Sequence, residues 1–428
     1  MSEKPNIVLL ISHDTGRFIS PYGVDTVHTP NFERLAEESV LFENAFCTAP
    51  QCSPSRAALV TGRYPHANGV MGLTHDDYAW GLHSTEQPVA KLLGAAGYET
   101  WMLGLPHETR DAQVLGFDHV EWGLLLADLV DRLPSLLAGR DASSPFYCQM
   151  ACFETHREWT LSGAPPDDSL GIYVPPFLSD GPETRKEMAG FQGMVRQLDR
   201  GLGRLLDLLE DHDLEHNTIL IVTTDHGIAM PMAKGTLRDP GIETLLLMRY
   251  PRGAWCHGSR IQDLVSNVDV LPTVLEASHL PIPDHIQGLS FLPLLKGKPH
   301  RGRDAILAEK TFHDCYDPMR CVRTGRYKYI RYFEKSAVHR VPADAINGGA
   351  SRELGHLPRR GVEELFDLEV DPHEQQDLSG DPAYAAVCQE MMARLVAWMR
   401  ETGDPLLEGP VASPFYYKSR QGLLQTEA

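Results

Sequence analysis

The chain is short of positive charge. Across 428 residues, 39 Lys and Arg stand against 58 Asp and Glu, a formal net charge of −19 with His neutral. That balance argues against a nucleic-acid backbone or an anionic membrane as the main partner, since both are bound through an excess of cationic side chains. It leaves room for a small anionic substrate, which a local cationic pocket can hold whatever the global charge. Long apolar runs are missing too, for nothing approaches the roughly 18 apolar residues of a membrane span. The stretch Ile7 to Ile11 is too short, and too soon followed by His13 and Asp14, to be the apolar core of a signal peptide. Cysteine is sparse, with eight residues at 47, 52, 148, 152, 256, 315, 321 and 388. A chain of this length buries a core without disulfides, so cysteine counting implies no disulfide framework. The expectation is a protein of a reducing cytoplasm with its thiols unpaired. Internal repeats and low-complexity tracts are also missing.

What is present alternates between strand and helix signals. Ile7–Ser12 and Thr218–Thr223 are continuous apolar, β-branched runs, the pattern of strands buried on both faces of a parallel sheet. Glu99–Leu103 reads as another strand. Thr29-Pro30 caps a helix over Asn31–Ser39, Ser55–Thr61 and Pro88–Ala96 read as short helices, and Arg185–Asp211 is the longest helical pattern. The alternation predicts an α/β fold, a large mixed and mainly parallel sheet flanked by helices, over residues 1–300. The pattern changes after Arg301. Cys321–Tyr332 alternates and is rich in Tyr and Arg, Glu364–Val370 reads as a strand, and Ala383–Arg400 as a helix. These predict a smaller C-terminal α+β subdomain over 301–409, followed by a tail, 410–428, of little periodicity that serves as an arm or frays. With Phe415, Tyr416 and Tyr417, the tail could act as an exchange arm in a homo-oligomer.

In an open α/β sheet, ligands sit just past the carboxyl ends of strands. His13-Asp14 and Asp225-His226 each follow a predicted central strand, so two carboxylate–imidazole pairs share one sheet edge. A third segment, Cys52-Ser53-Pro54-Ser55-Arg56 continuing to Thr61-Gly62-Arg63, places Cys52 beside a helix N-terminus, which favours an anion, with Arg56 one turn along. Spacing alone leaves Cys52 open between a buried core cysteine and a reactive one.

The Cys-x-Pro-Ser-Arg run with its following Thr-Gly-Arg resembles the signature of the formylglycine-dependent sulfatases of the alkaline phosphatase superfamily. Flanking segments agree, namely Pro5-Asn6-Ile7-Val8, Thr29-Pro30-Asn31, Leu41 through Phe46, and Glu364 through Glu374. Asn68-Gly69 to Leu73 and Thr218–Pro240 look most like the sulfamidase, or N-sulfoglucosamine sulfohydrolase, branch. The resemblance implies an alkaline phosphatase-like fold and the oxidation of Cys52 to formylglycine by a formylglycine-generating enzyme. A hydrated aldehyde carries two hydroxyls on one carbon: one attacks sulfur, and deprotonation of the other expels sulfate. A thiolate has no second hydroxyl with which to break the thiosulfate it would make.

The same resemblance implies one divalent metal held by His13, Asp14, Asp225, His226 and residue 52. His13 stands where the family usually has aspartate. Calcium is the family expectation and prefers oxygen donors, whereas two imidazoles favour Mn, Zn or Fe. By resemblance, Arg56 orients the nucleophile, His107 is the base that collapses the sulfated hydrate, His156 holds or protonates the leaving group, and Lys234 contacts the sulfate. Leu105 replaces a lysine of the family motif. His75, His83, His313 and Arg238 are read as ordinary loop residues, and the Tyr-rich Arg326–Tyr332 as packing. The predicted reaction is hydrolysis of a sulfate ester or sulfamate on a sugar or an aryl or alkyl group. A phosphonate monoester or phosphodiester hydrolase of the same superfamily is the alternative that fits Leu105, and a non-catalytic binding relative is a third reading. Substrate choice is assigned to the loops Gly72–Ser84 and Thr155–Asp180.

Overall fold

A computed structural model describes residues 4–75, 77–160 and 162–425. Residues 1–3 and 426–428, Asp76 in the first of the two loops just named and Leu161 in the second lie outside the described residues. Eight strands form the main sheet: β1 (Asn6–Ser12), β2 (Val40–Phe46), β3 (Glu99–Gly104), β4 (His119–Glu121), β5 (Phe146–Ala151), β6 (Thr218–Thr224), β7 (Leu246–Arg249) and β8 (Ser259–Ser266). Their spatial order is β4-β3-β5-β1-β6-β7-β2-β8. β7 runs antiparallel to β6 and β2, and the other pairs are parallel.

Every residue of β1 and of β6 is buried. Central strands covered on both faces have no wet side, which is why their sequences are apolar throughout. Side chains of β1 alternate between two layers. Val8 and Leu10 pack under the long Pro182–Asp211 helix through Phe191, Val195, Leu198 and Leu202. Ile7, Leu9 and Ile11 face the other layer, with Leu59 and Val60 of the Cys52–Thr61 helix and Val270, Leu271 and Val274 of the Val270–Ala277 helix.

A second, antiparallel sheet has the order β12-β11-β10-β9, built from β9 (Ala305–Phe312), β10 (Tyr316–Thr324), β11 (Tyr327–Tyr332) and β12 (Glu363–Asp367). The alternating Cys321–Tyr332 segment is thus a hairpin, with Tyr329 and Tyr332 buried. The Ala385–Thr402 helix covers it through Met391, Leu395 and Trp398.

The tail departs from expectation. Pro414–Gln425 is helical rather than frayed, and Phe415, Tyr416 and Tyr417 on it are exposed. Its start signal is local: the Ser413 hydroxyl accepts the Tyr416 N–H at 3.2 Å, and Pro414 takes the first helical position.

β3 ends at Gly104, where the chain turns toward Leu105 and His107. Gly104 has φ of 107°, and a Cβ there would lie 2.1 Å from the Ala151 carbonyl oxygen. Gly104→Ala is therefore expected to cost about 3 kcal/mol in urea unfolding. A loss below about 1 kcal/mol would show that this strand end relaxes freely.

Candidate active site

β1 and β6 lie side by side with Ser12 opposite Thr224, so the residues that follow them leave the same sheet edge. The Asp14 N–H donates to Asp225 Oδ1 at 2.9 Å and locks the two loops together. β5 delivers a third loop: the Glu154 carbonyl accepts the His13 N–H at 2.7 Å, and the Thr155 N–H donates to the His13 carbonyl at 2.6 Å. That pairing sets the His156 ring 4.5 Å from the His13 ring, centroid to centroid. The helix carrying Cys52 begins at Cys52 itself rather than at Ser55, so the thiol occupies the first helical position.

Around Cys52, which is 2% exposed, charge is dense. Its Sγ lies 3.4 Å from His226 Nε2, and the His107 imidazole is among the groups that hold the thiol low. One turn on, Arg56 donates from Nε to Asp225 Oδ2 at 2.9 Å and from Nη2 to the Ser12 carbonyl at 3.2 Å. His226 Nε2 is 3.0 Å from Asp14 Oδ1, and His13 Nδ1 is 3.0 Å from the same oxygen and 3.3 Å from Asp225 Oδ2. Lys234 donates to Asp14 Oδ2 at 2.9 Å and to Asp344 Oδ2 at 2.7 Å. His107 sits 5.4 Å from His13, ring to ring. All nine residues singled out from sequence thus converge.

Burial works to raise the Cys52 thiol, but Lys234, His13 and His226 outweigh it and hold it well below the ordinary thiol range. The same cationic surroundings favour any anion at that point. Burial works against the Lys234 charge, yet Asp14, Cys52 and Asp344 keep it protonated. Burial is the main influence lowering His107, so its imidazole is neutral near pH 7 and free to take a proton. His156 falls to about 4, through burial first and Lys234 next.

The donor set suits a divalent cation. His13, Asp14, Cys52, Asp225 and His226 are all buried, and each offers one ligand atom within 4.8 Å of the others. His13 Nε2 and Arg56 Nη1 are buried polar atoms with no hydrogen-bond partner among the described residues. Such orphans are costly unless something polar meets them.

Two neighbours were not expected from sequence. Asp344, on the short Ala343–Ile346 helix, closes the Lys234 bridge from the C-terminal part of the chain. His75 stacks on His107 with centroids 5.5 Å apart and planes 8° from parallel. Arg238 instead pairs with Glu364 at 3.0 Å, and His313 with its neighbour Asp314 at 3.2 Å.

Glu154 supports the site from beneath. Its carboxylate accepts the Leu126 N–H, and burial raises its pKa to about 7 from an ordinary value of 4.5. The folded protein keeps this proton where the unfolded chain releases it. Stability from this group is therefore fully present below about pH 4.5 and declines until about pH 7, by on the order of 3 kcal/mol. Glu154→Gln, which mimics the neutral acid, is expected to be stabilised relative to the parent at pH 8 and matched to it at pH 4.5. Equal urea midpoints for the two proteins at both pH values would contradict this.

Comparison with known proteins agrees with the geometry. A family model described as Sulfatase matches residues 5–280, and one described as N-sulphoglucosamine sulphohydrolase, C-terminal, matches residues 231–342. An ulvan-active sulfatase of Formosa agariphila is 30% identical over 97% of this chain and 84% of its own length. Human N-sulphoglucosamine sulphohydrolase is 27% identical over 95% of this chain and 92% of its own. Among solved structures, a 2-O GAG sulfatase superposes with a TM-score of 0.77 at 22% identity, covering 96% of this chain and 95% of that one. With its signature cysteine at the centre of the charged cluster, the chain belongs to the sulfatase family, on a branch resembling N-sulphoglucosamine sulphohydrolase.

Proposed function

We propose that the chain hydrolyses a sulfate ester or sulfamate on a sugar, with residue 52 acting as formylglycine. The observation that carries this reading is Cys52 at a buried helix start, between two carboxylate–imidazole pairs from neighbouring strand ends. A divalent cation held by His13, Asp14, Asp225, His226 and residue 52 would polarise a sulfuryl oxygen. Hydrated formylglycine supplies the attacking hydroxyl and a second one for release of sulfate.

The chain's own residues do the rest. Arg56, fixed by Asp225 and the Ser12 carbonyl, keeps Nη1 as a spare donor for an anionic oxygen. Lys234 balances negative charge as it builds on the transferring group. His107, neutral and in contact with residue 52, takes the proton whose removal frees sulfate. His156, with a pKa of about 4, is a neutral imidazole near pH 7, so of the two roles read for it, holding or protonating the leaving group, it is assigned the first, as a hydrogen-bond donor through its one remaining N–H.

The ion is calcium by family resemblance, while the nitrogen donors of His13 and His226 favour manganese, zinc or iron. Elemental analysis of protein purified without chelator decides between them. No helix among the described residues is long and apolar enough to cross a membrane. All eight cysteines are free; location in a reducing cytoplasm and maturation by a formylglycine-generating enzyme are part of the same proposal.

The second reading is a phosphonate monoester or phosphodiester hydrolase, with Leu105 standing where the resemblance implies a lysine; a phosphodiester and a sulfate ester each carry a single negative charge, so turnover rather than charge separates them. Side-by-side turnover of sulfate-ester, sulfamate and phosphodiester substrates is the test. Sulfate release should dominate, and phosphodiester turnover faster by orders of magnitude would reverse the assignment.

A further inference from the structure

His107, the base of the proposed reaction, lacks the usual brace. A catalytic imidazole is ordinarily held by a hydrogen bond to its second ring nitrogen, which fixes the plane of the ring and the nitrogen that carries the proton. His107 Nδ1 is buried and has no hydrogen-bond partner among the described residues. The main chain at 107 is tied, with the His107 N–H donating to the Leu105 carbonyl at 2.9 Å. That bond leaves the side chain free to turn about its own torsions.

Two rings limit this freedom. His13 meets His107 obliquely, with centroids 5.4 Å apart and planes tilted by 58°. His75 lies almost parallel to it, with centroids 5.5 Å apart and planes only 8° from each other, an offset stack. A parallel neighbour is the stronger restraint on rotation, because turning the base out of plane drives its edge into the facing ring.

The backbone puts His75 there. The Thr74 N–H donates to Ser53 Oγ at 3.3 Å, and Thr74 Oγ1 donates to the His107 carbonyl at 3.1 Å. The residue before His75 is thus anchored both to the neighbour of residue 52 and to the base itself. Tyr78 meets the His75 ring edge-on, centroids 5.5 Å apart. His75 Nδ1 is buried and unpartnered as well among the described residues, so what this nitrogen's side of the ring gives His107 is a flat face and no hydrogen bond.

We propose that His75 is a positioning residue whose ring face sets the plane in which His107 meets residue 52. The proposal rests on the sulfatase reading, in which His107 takes the proton whose removal frees sulfate. It gives the Gly72–Ser84 loop a part in the rate as well as in substrate choice. Sulfate leaves after sulfur has been attacked, so a misaligned base slows the later step. Slowing that step lowers kcat and KM together and spares kcat/KM, which the earlier step sets.

The test uses the full-length matured protein, with glucosamine N-sulfate and 4-nitrophenyl sulfate as probes. His75→Phe and His75→Leu are both apolar and of similar bulk, and only the first offers a flat face. His75→Phe should keep kcat within about threefold of the parent, and His75→Leu should lose about 30-fold in kcat while kcat/KM stays within about threefold. Parent kcat in His75→Leu, a loss seen in KM alone, or a His75→Phe as slow as His75→Leu overturns the proposal. The last of these would place the role in the ring nitrogens rather than the face. Imidazole-labelled Cys52→Ala protein gives an NMR readout without turnover, with the His107 signal identified by its loss in His107→Gln. That signal should stay single and narrow in His75→Phe, and shift and broaden in His75→Leu. A change confined to His75→Leu upholds the stack even if neither probe is hydrolysed; the same signal in both variants overturns it even if sulfate release is fast.

Discussion

Cys52→Ala is expected to lower sulfate release by roughly 10⁵-fold or more, because no other group at the site can form and break the covalent bond to sulfur. Arg56, Lys234 and His107 remain in the variant and still hold an anion, so weak substrate binding survives while turnover does not. Folding should survive too. The replacement removes one buried sulfur beside side chains that stay paired with one another: Arg56 with Asp225, His226 and Lys234 with Asp14. Such a small change shifts the thermal midpoint of a chain this size by a few degrees at most, about 2–4 °C per kcal/mol. Activity within about 100-fold of the parent, in a folded variant, would remove residue 52 from the mechanism.

Lys234→Met carries the second large effect, and it acts on both activity and stability. The ammonium is 1% exposed, bridging Asp14 at 2.9 Å and Asp344 at 2.7 Å. Its removal leaves Asp14 fully buried and short of its nearest cation. Breaking a buried pair this way costs about 3–5 kcal/mol, more than the pair itself contributes, because the stranded charge has lost its solvation. Loss of the positive charge facing the transferring group should cost a further 10²–10³-fold or so in kcat. Asp344→Asn is the informative contrast. It keeps Lys234 and the Asp14 bridge, so its stability loss should be the smaller of the two. If Lys234→Met unfolds in urea at the parent midpoint and turns over within about tenfold of it, Lys234 has no share in either role.

The centre of this fold is written plainly in the chain. β1 and β6 announce themselves because strands buried on both faces must be apolar throughout, and the residues just after them are positioned by that fact. The long helix is legible for a similar reason, since its buried Phe191, Val195, Leu198, Leu202 and Leu205 follow the helical period. Edges are harder to read. In β8 only Val265 and Ser266 are buried, so its pattern resembles a loop. The C-terminal helix has no apolar face against the core, and its Ser413-Pro414 start was the one readable sign.

The site shows the same division. Residues close to a motif or a strand end came together as expected, from His13 through Lys234. Asp344 did not announce itself, because it joins Lys234 across 110 positions and stands in a segment, Pro342-Ala343-Asp344-Ala345, with no pattern of its own. His75 looked like any loop histidine until its ring was seen flat against His107. The acidic balance of the whole chain, −19, likewise gave no hint that Arg56 and Lys234 would be buried around one anion-sized point.

The most direct test of the whole account is the mass of the peptide that contains Cys52, from protein made in a host with the formylglycine-generating system. Oxidation of the thiol to the aldehyde loses sulfur and two hydrogens and gains one oxygen, so the peptide should be lighter by about 18 Da, or unchanged from its unmodified mass when the aldehyde is hydrated. Trapping with a hydrazide separates the hydrate from the thiol, and alkylation with iodoacetamide should fail at residue 52. A peptide of unmodified mass that alkylates fully and ignores the hydrazide would contradict the account, because the cluster around Cys52 would then hold an ordinary thiol.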